Sequence, residues 1–189
     1  MDRRVERTRR NIYLAFFELL KKKAMDEITI TELANAADID RRTFYKHYST
    51  VTDVYLEFKQ QMQDELLGFL EDCETDGADG SPFDFVRFFA HLEKMMEGQR
   101  PFFEKLSSDK ASMFLRYDCK DSLEGALLDF YKGRFPGSDE ELGIYAATLA
   151  YAVTGFGSDY LTKYFRTTSF ADMSALLAPL LQKLWIPRT

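Results

Sequence analysis

An all-α fold follows from three observations. Apolar residues recur at i, i+3, i+4 and i+7 in most of the long segments. No stretch alternates apolar and polar residues over the length of a useful strand. Between Ile28 and Asp53, two short helical patterns are joined by a tight turn, each preceded by a residue suited to start a helix.

Met1 to Arg7 is rich in arginine and is expected to be a mobile basic arm. Helix 1 is expected from about Thr8 to Lys23, with Ile12, Ala15, Phe16, Leu19 and Leu20 forming its buried stripe. Thr29 and Glu32 then have the spacing of a capping box, in which each satisfies an unpaired amide at a helix start. Ile28 outside that cap and Leu33 inside it can close over it as an apolar staple. Asp38 is placed to end the helix in the left-handed conformation, which Asp tolerates better than most residues. Ile39 fills the turn, and Asp40 is placed to cap the next helix.

That next helix has two faces. Phe44 and Tyr48 lie four apart and anchor it inward. Arg41, Arg42, Tyr45 and Lys46 fall on the opposite side with no partner nearby in sequence. Residues at the start of such a helix reach base edges in the major groove of DNA. An arginine can bond two acceptors of guanine, and Thr43 or aromatic carbons can meet the thymine methyl. Tyr45, Lys46 and His47 suit phosphates.

These residues carry a family resemblance. Thr29-Ile30, Leu33-Ala34, Ala37 to Asp40, Thr43 to Tyr48 and Asp53 make residues 8–55 resemble the N-terminal domain of the TetR family of bacterial transcriptional regulators. The resemblance implies that Thr29, Arg41, Arg42, Thr43, Tyr45, Lys46 and His47 occupy DNA-contacting positions. It also implies a three-helix DNA-binding domain, a larger helical ligand-binding and dimerisation domain, and a homodimer. The expected division is 1–53 and 54–189. The expected activity is that of a repressor on a palindromic operator, released by a small apolar or aromatic effector. Three positions depart from the family pattern, which usually has Gly at Asp38, Phe at Tyr48 and Lys at Val51. The last removes a phosphate contact and supports a second reading, a homologue that acts through protein contacts with weak operator binding or no inducer.

Thr50 and Asp53 form another capping pair, opening a helix to about Cys73. Glu74 to Pro82 is a break rich in Gly, Asp and Ser. Helices are expected near 83–97, 101–107 and 110–134, then, after Pro136-Gly137-Ser138, from there to about Arg166 and at 169–185. Pro179 should kink the last of these or force a local adjustment. Ile144 to Gly157 carries no charge, and a helix apolar all round must be covered on all sides. A second copy of the chain is the expected cover, with Ala146, Ala147, Ala150 and Gly157 allowing close approach. The middle helices are rich in Phe and Met, among them Phe88, Met95, Met96, Phe102, Phe103, Met113 and Phe114. Most are expected in the core, and some around an apolar cavity with His91 or Tyr117 as polar orienters.

Composition narrows the function classes. Residues 1–53 carry 11 Lys/Arg against 9 Asp/Glu, whereas residues 54–189 carry 14 against 22. The positive charge is further concentrated in Arg3, Arg4, Arg7, Arg9, Arg10 and the second helix of the pair, and local potential governs phosphate contact. There is no secretory signal pattern, and the uncharged run Leu142 to Ser158 is short of the ~20 apolar residues of a spanning helix. Cys73 and Cys119 are widely separated and read as reduced thiols, so the cytoplasm is the expected location and no membrane partner is expected. With two His and no catalytic or metal-binding motif, the expectation is no enzyme, no cofactor and no metal.

Overall fold

The computed structural model describes residues 3–20, 22–75, 83–98, 115–160, 163 and 168–185. Eight α-helices and no strand are found among them: α1 Arg3–Leu20, α2 Ile30–Ala36, α3 Arg41–Tyr45, α4 Val51–Asp72, α5 Phe85–Gly98, α6 Lys120–Tyr131, α7 Asp139–Asp159 and α8 Phe170–Leu184. A single turn of 3-10 helix, Met25–Glu27, precedes α2, and a π-helical turn, Leu115–Cys119, leads into α6. The chain forms two compact units, Met1–Gln61 and Met62–Thr189, and α4 contributes residues to both.

The first unit is built on α1. Ile12, Ala15, Phe16 and Phe17 are its buried residues, whereas Leu19 and Leu20 are half-buried, so Phe17 takes the inward place expected of them. Phe17 meets Phe58 of α4 edge-on at 4.7 Å. Leu33 and Ala34 of α2, Phe44 of α3 and Val54 of α4 complete this core, all fully buried. The N-terminus differs from expectation. Arg3 to Arg7 belong to α1, because arginine is a good helix former, Glu6 lies in the first turn and nothing there breaks the helix. Thr8 Oγ1 donates to Arg4 O at 2.9 Å, in register with that first turn.

In the second unit, α7 packs along α6, and α8 packs chiefly on α5. Capping sets the helix starts. Ser138 and Glu141 form a capping box at α7, and Ser169 caps α8 through the Asp172 amide. The segment after α4 is pinned by Asp84 N, which donates to Cys73 O at 2.9 Å. Pro179 lies within α8, which continues on both sides of it. The expected helix at 101–107, the start of the one at 110–134 and the end of the one reaching Arg166 lie outside the described residues, as do Phe102, Phe103, Met113 and Phe114.

The two C-terminal helices are two-faced within one chain. Ala146, Leu149, Ala150 and Val153 are buried, but Ile144, Tyr145 and Tyr151 of α7 are exposed. On α8, Leu176, Leu180 and Leu184 recur every four residues and are 76%, 57% and 50% exposed. The charge-free segment is therefore buried on one side only. Its small residues Ala146 and Ala150 are spent inside the chain.

Candidate nucleic-acid interface

The ends of the helices of the helix-turn-helix are fixed by hydrogen bonds local in sequence. Thr29 Oγ1 accepts from Glu32 N at 3.2 Å and donates to Glu32 Oε2 at 2.8 Å, while Thr29 N donates to the same carboxylate at 3.0 Å. Lys23 Nζ pairs with Glu32 at 2.6 Å, the largest cause holding that carboxyl down to about 2. At the other end of α2, Asp38 is left-handed at φ 56°, so that Ile39 N returns to Ala34 O at 3.0 Å. Asp40 Oδ1 then accepts from Thr43 N at 2.7 Å and fixes where α3 begins. That amide and the Thr43 hydroxyl hold the Asp40 carboxyl below its ordinary value.

Phe44 is fully buried and Tyr48 nearly so, while Arg41, Arg42, Tyr45 and Lys46 are exposed. Arg41/Tyr45 and Arg42/Lys46 are i, i+4 pairs, so four of the seven expected residues form two adjacent rows on one open face. Arg41 does find a partner there. Its Nη2 donates to Tyr45 Oη at 3.4 Å, and its guanidinium lies 5.9 Å from the centre of the tyrosine ring. Thr43 is half-buried, and its hydroxyl donates to Asp40 Oδ2 at 3.1 Å, which leaves only acceptor capacity for a ligand. His47 is half-buried just beyond α3. Thr29 stands at the start of α2 as its N-cap, with its hydroxyl engaged by Glu32.

Arg9 is engaged within the first unit. Its Nη1 lies 2.6 Å from Glu57 Oε1, with both side chains about three-quarters buried. Beside it is a network that the residue pattern did not disclose. Tyr48 Oη donates to Tyr13 Oη at 3.3 Å, and Gln61 Nε2 donates to Glu57 Oε1 at 3.1 Å. Burial, followed by bonding to Tyr13 and Glu57, raises the Tyr48 phenol well above its ordinary value. The one available signal was Tyr48 itself, where phenylalanine is usual. A phenol there needs a buried partner, which Tyr13 on α1 supplies.

At the start of α4, Asp53 Oδ2 accepts from Ser49 N and Thr50 N, and Asp53 N donates to Thr50 Oγ1. A carboxylate thus already occupies the N-terminal end of this helix, and Val51 beside it is half-buried.

No protein-family model matches the chain, and no curated protein does. Solved structures do. A TetR-family regulator from Streptomyces coelicolor A3 is 14% identical, with 95% of this chain and 94% of that one covered at a TM-score of 0.60. A TetR transcriptional regulator from Streptococcus agalactiae 2603V is 19% identical, with 95% and 96% covered at 0.55. A second TetR-family regulator from Streptomyces coelicolor is 17% identical, with 95% and 80% covered at 0.54. The chain has the all-helical fold of the TetR-family transcriptional regulators. At these identities the likeness is one of fold, so the role of each side chain rests on its own geometry.

Proposed function

We propose that the chain is a TetR-family regulator that binds duplex DNA sequence-specifically as a homodimer in the cytoplasm, repressing transcription from a palindromic operator until a small effector releases it. The observation that carries this reading is the open face of α3, where Arg41, Arg42, Tyr45 and Lys46 project from a helix fixed by Asp40 on one side and by buried Phe44 on the other. Arg41 and Arg42 are the base readers, with Thr43 beside them as an acceptor. Tyr45, Lys46, His47 and the Thr29 end of α2 position the backbone. Residues 1–53 form the DNA-binding part, and 54–189 the regulatory and dimerisation part.

The exposed leucines of α8 with Ile144 and Tyr151 of α7 support the dimer, since apolar stripes of this kind mark interaction surfaces. Half-sites are then expected ~34–36 Å apart or at a multiple of that. An effector is supported by an apolar cavity in the second unit, lined by Leu66, Leu92, Met95, Met96 and Phe170 among others. Neither orienter expected from the sequence lines it. Tyr117 is 60% exposed, and His91 pairs with Asp72 at 2.6 Å while stacking on Phe69. An apolar or aromatic effector matches the character of the lining, although the cavity volume of about 70 Å³ holds only a fragment of such a molecule.

The test is a footprint on the DNA upstream of the chain's own gene, repeated with Arg42→Ala and Tyr151→Asp. A protected palindrome is expected. Arg42→Ala should cost ~1–3 kcal/mol and relax preference at one position of each half-site. Tyr151→Asp should abolish both the footprint and the dimer in sedimentation. Tyr151 is the informative site because it is exposed on α7, whereas its neighbour Ala150 is buried inside the chain. Equal binding to every sequence would defeat the reading.

A further inference from the structure

Helix α3 is five residues long, so its orientation depends on what holds it at each end. Asp40 fixes where it begins, and Phe44 is fully buried beneath it. An apolar ring sets the depth of a helix but little of its rotation, because hydrophobic burial has no direction. The third hold is Tyr48, just beyond the end of α3. Its N–H donates to Phe44 O at 3.0 Å, and the residue is 5% exposed. Its phenol is bonded to Tyr13 Oη of α1 at 3.3 Å and to Glu57 of α4. Glu57 is held in turn by Arg9 Nη1 at 2.6 Å and by Gln61 Nε2 at 3.1 Å. Directional bonds thus run from the segment that closes α3 to both α1 and α4.

We propose that the Tyr48 hydroxyl is a specificity-determining positioning group: through Tyr13 and Glu57 it sets the rotation of α3, and with it where Arg41 and Arg42 meet base edges.

Base reading and phosphate contact differ in how much rotation they tolerate. An arginine that bonds both acceptors of a guanine needs two bonds in line, whereas a cation meets a phosphate from many directions. Phe44 and Tyr48 lie four apart on the inward face, and the Arg41/Tyr45 and Arg42/Lys46 rows lie on the open one. Loosening the Tyr48 end therefore turns both rows together. Sequence preference is lost first, and general attraction to DNA last. Burial keeps the bonds in force, because a phenol this enclosed that lost its partners would find no water to replace them. The Arg9 guanidinium offsets the charge of Glu57, so the acceptor is not left alone where both side chains are about three-quarters buried.

The role in specificity rests on the reading of α3 as the DNA-reading helix, so the experiment has one arm without DNA. Tyr48→Phe keeps the ring against Phe44 and removes the hydroxyl. Glu57→Gln keeps the shape of the acceptor and removes its charge. In hydrogen exchange on the full chain, the His47 and Tyr48 amides, which donate to Phe44 O, should exchange on the order of fivefold faster in both variants. The Leu33 amide of α2 should not change. A merely structural role would speed all three together and overturn the proposal. The second arm compares the footprinted duplex with a shuffled duplex of equal length. Tyr48→Phe should lower affinity for the first about five- to tenfold and for the second less than about twofold, at an unchanged salt slope. The double variant should lose no more than Tyr48→Phe alone, because both changes cut one connection. Unchanged exchange, equal losses on the two duplexes, or additive losses would overturn the proposal. A wild-type chain that prefers neither duplex defeats the regulator reading and the role in specificity with it, and the exchange arm still decides whether Tyr48 holds α3. A preference that survives Tyr48→Phe intact overturns the proposal and leaves the regulator reading standing.

Discussion

The helix-turn-helix and the aromatic cluster at the chain's C-terminal end fix their geometry by opposite means. Between Thr29 and Asp53, each cap joins residues three apart: Thr29 to Glu32, Asp40 to Thr43 and Thr50 to Asp53. Around Trp185 the partners come from far along the chain. Its ring stacks on Phe83 at 4.1 Å and meets Phe85, Tyr131, Phe130 and Phe135 at 5.4 to 6.0 Å. The caps of the first region are polar, exposed and specified residue by residue. The second is apolar and specified by which faces happen to meet. A surface that must present several side chains to a ligand in one register gains from local pinning, because its shape then survives changes elsewhere.

The largest expected effect is on the distributed side. Trp185→Ala removes a ring that is 5% exposed and touches five others. A loss of about 3–5 kcal/mol is expected. Hydrogen exchange should report it in the amides of α6 and α7 and leave the slow amides of α2 comparatively protected. An equal loss in both places would show that the two regions unfold as one.

Acid should act on the local side. Lys23, with the Thr29 amide and hydroxyl, holds the folded pKa of Glu32 below its unfolded value, and the Thr43 and Thr50 amides do the same for Asp40 and Asp53. A carboxyl lowered in this way contributes stability above its unfolded pKa and loses it as pH falls through the folded one. For Glu32 the window runs from 4.5 down to about 2. Amide signals of α2 and α3, followed by NMR as the pH is lowered, should disperse less across this window, and Glu32→Gln should flatten that response. Unchanged signals down to pH 2 would mean that these carboxylates hold nothing in place.

The contrast also accounts for what could be read from residues alone. The caps, the left-handed Asp38 and the split of Phe44 and Tyr48 from Arg41 and Arg42 were legible because each depends on near neighbours. The basic arm was misplaced for a related reason. Charge suggested a free tail, but Arg3 to Arg7 have good helix propensity, and α1 extends through them. The full lining of the apolar cavity, the Trp185 cluster and the Tyr13–Tyr48–Glu57 network were not legible. Periodicity says which face of a helix is apolar, and leaves open which other face meets it.

A smaller effect is expected from loosening one local pin. Thr29→Ala removes the cap of α2 and frees Glu32 from its hydroxyl, at a cost of about 0.5–2 kcal/mol. Chemical denaturation should locate that loss in the first unit. Operator affinity should fall with it, because α3 is placed through α2. A stability loss with no change in affinity would separate Thr29 from the DNA surface.

The smallest expected effect concerns Val51, where a local pin competes with a ligand. Lysine at this position lies at the first residue of α4 and can add a charge-assisted phosphate contact. Here the Asp53 carboxylate already accepts from Ser49 N and Thr50 N, and its negative charge opposes a phosphate at the same helix end. Val51→Lys should therefore tighten binding only modestly, and by a similar factor on operator and on random DNA. Each new contact should steepen the slope of log affinity against log salt by ~0.9. Adding Asp53→Asn should enlarge the gain, since it removes the opposing charge and keeps an oxygen to accept from the amides. An unchanged salt slope in both variants would show that this helix end does not face the DNA backbone, and phosphate anchoring would then fall to Lys46, Tyr45 and the exposed arginines Arg3, Arg7 and Arg10 of α1.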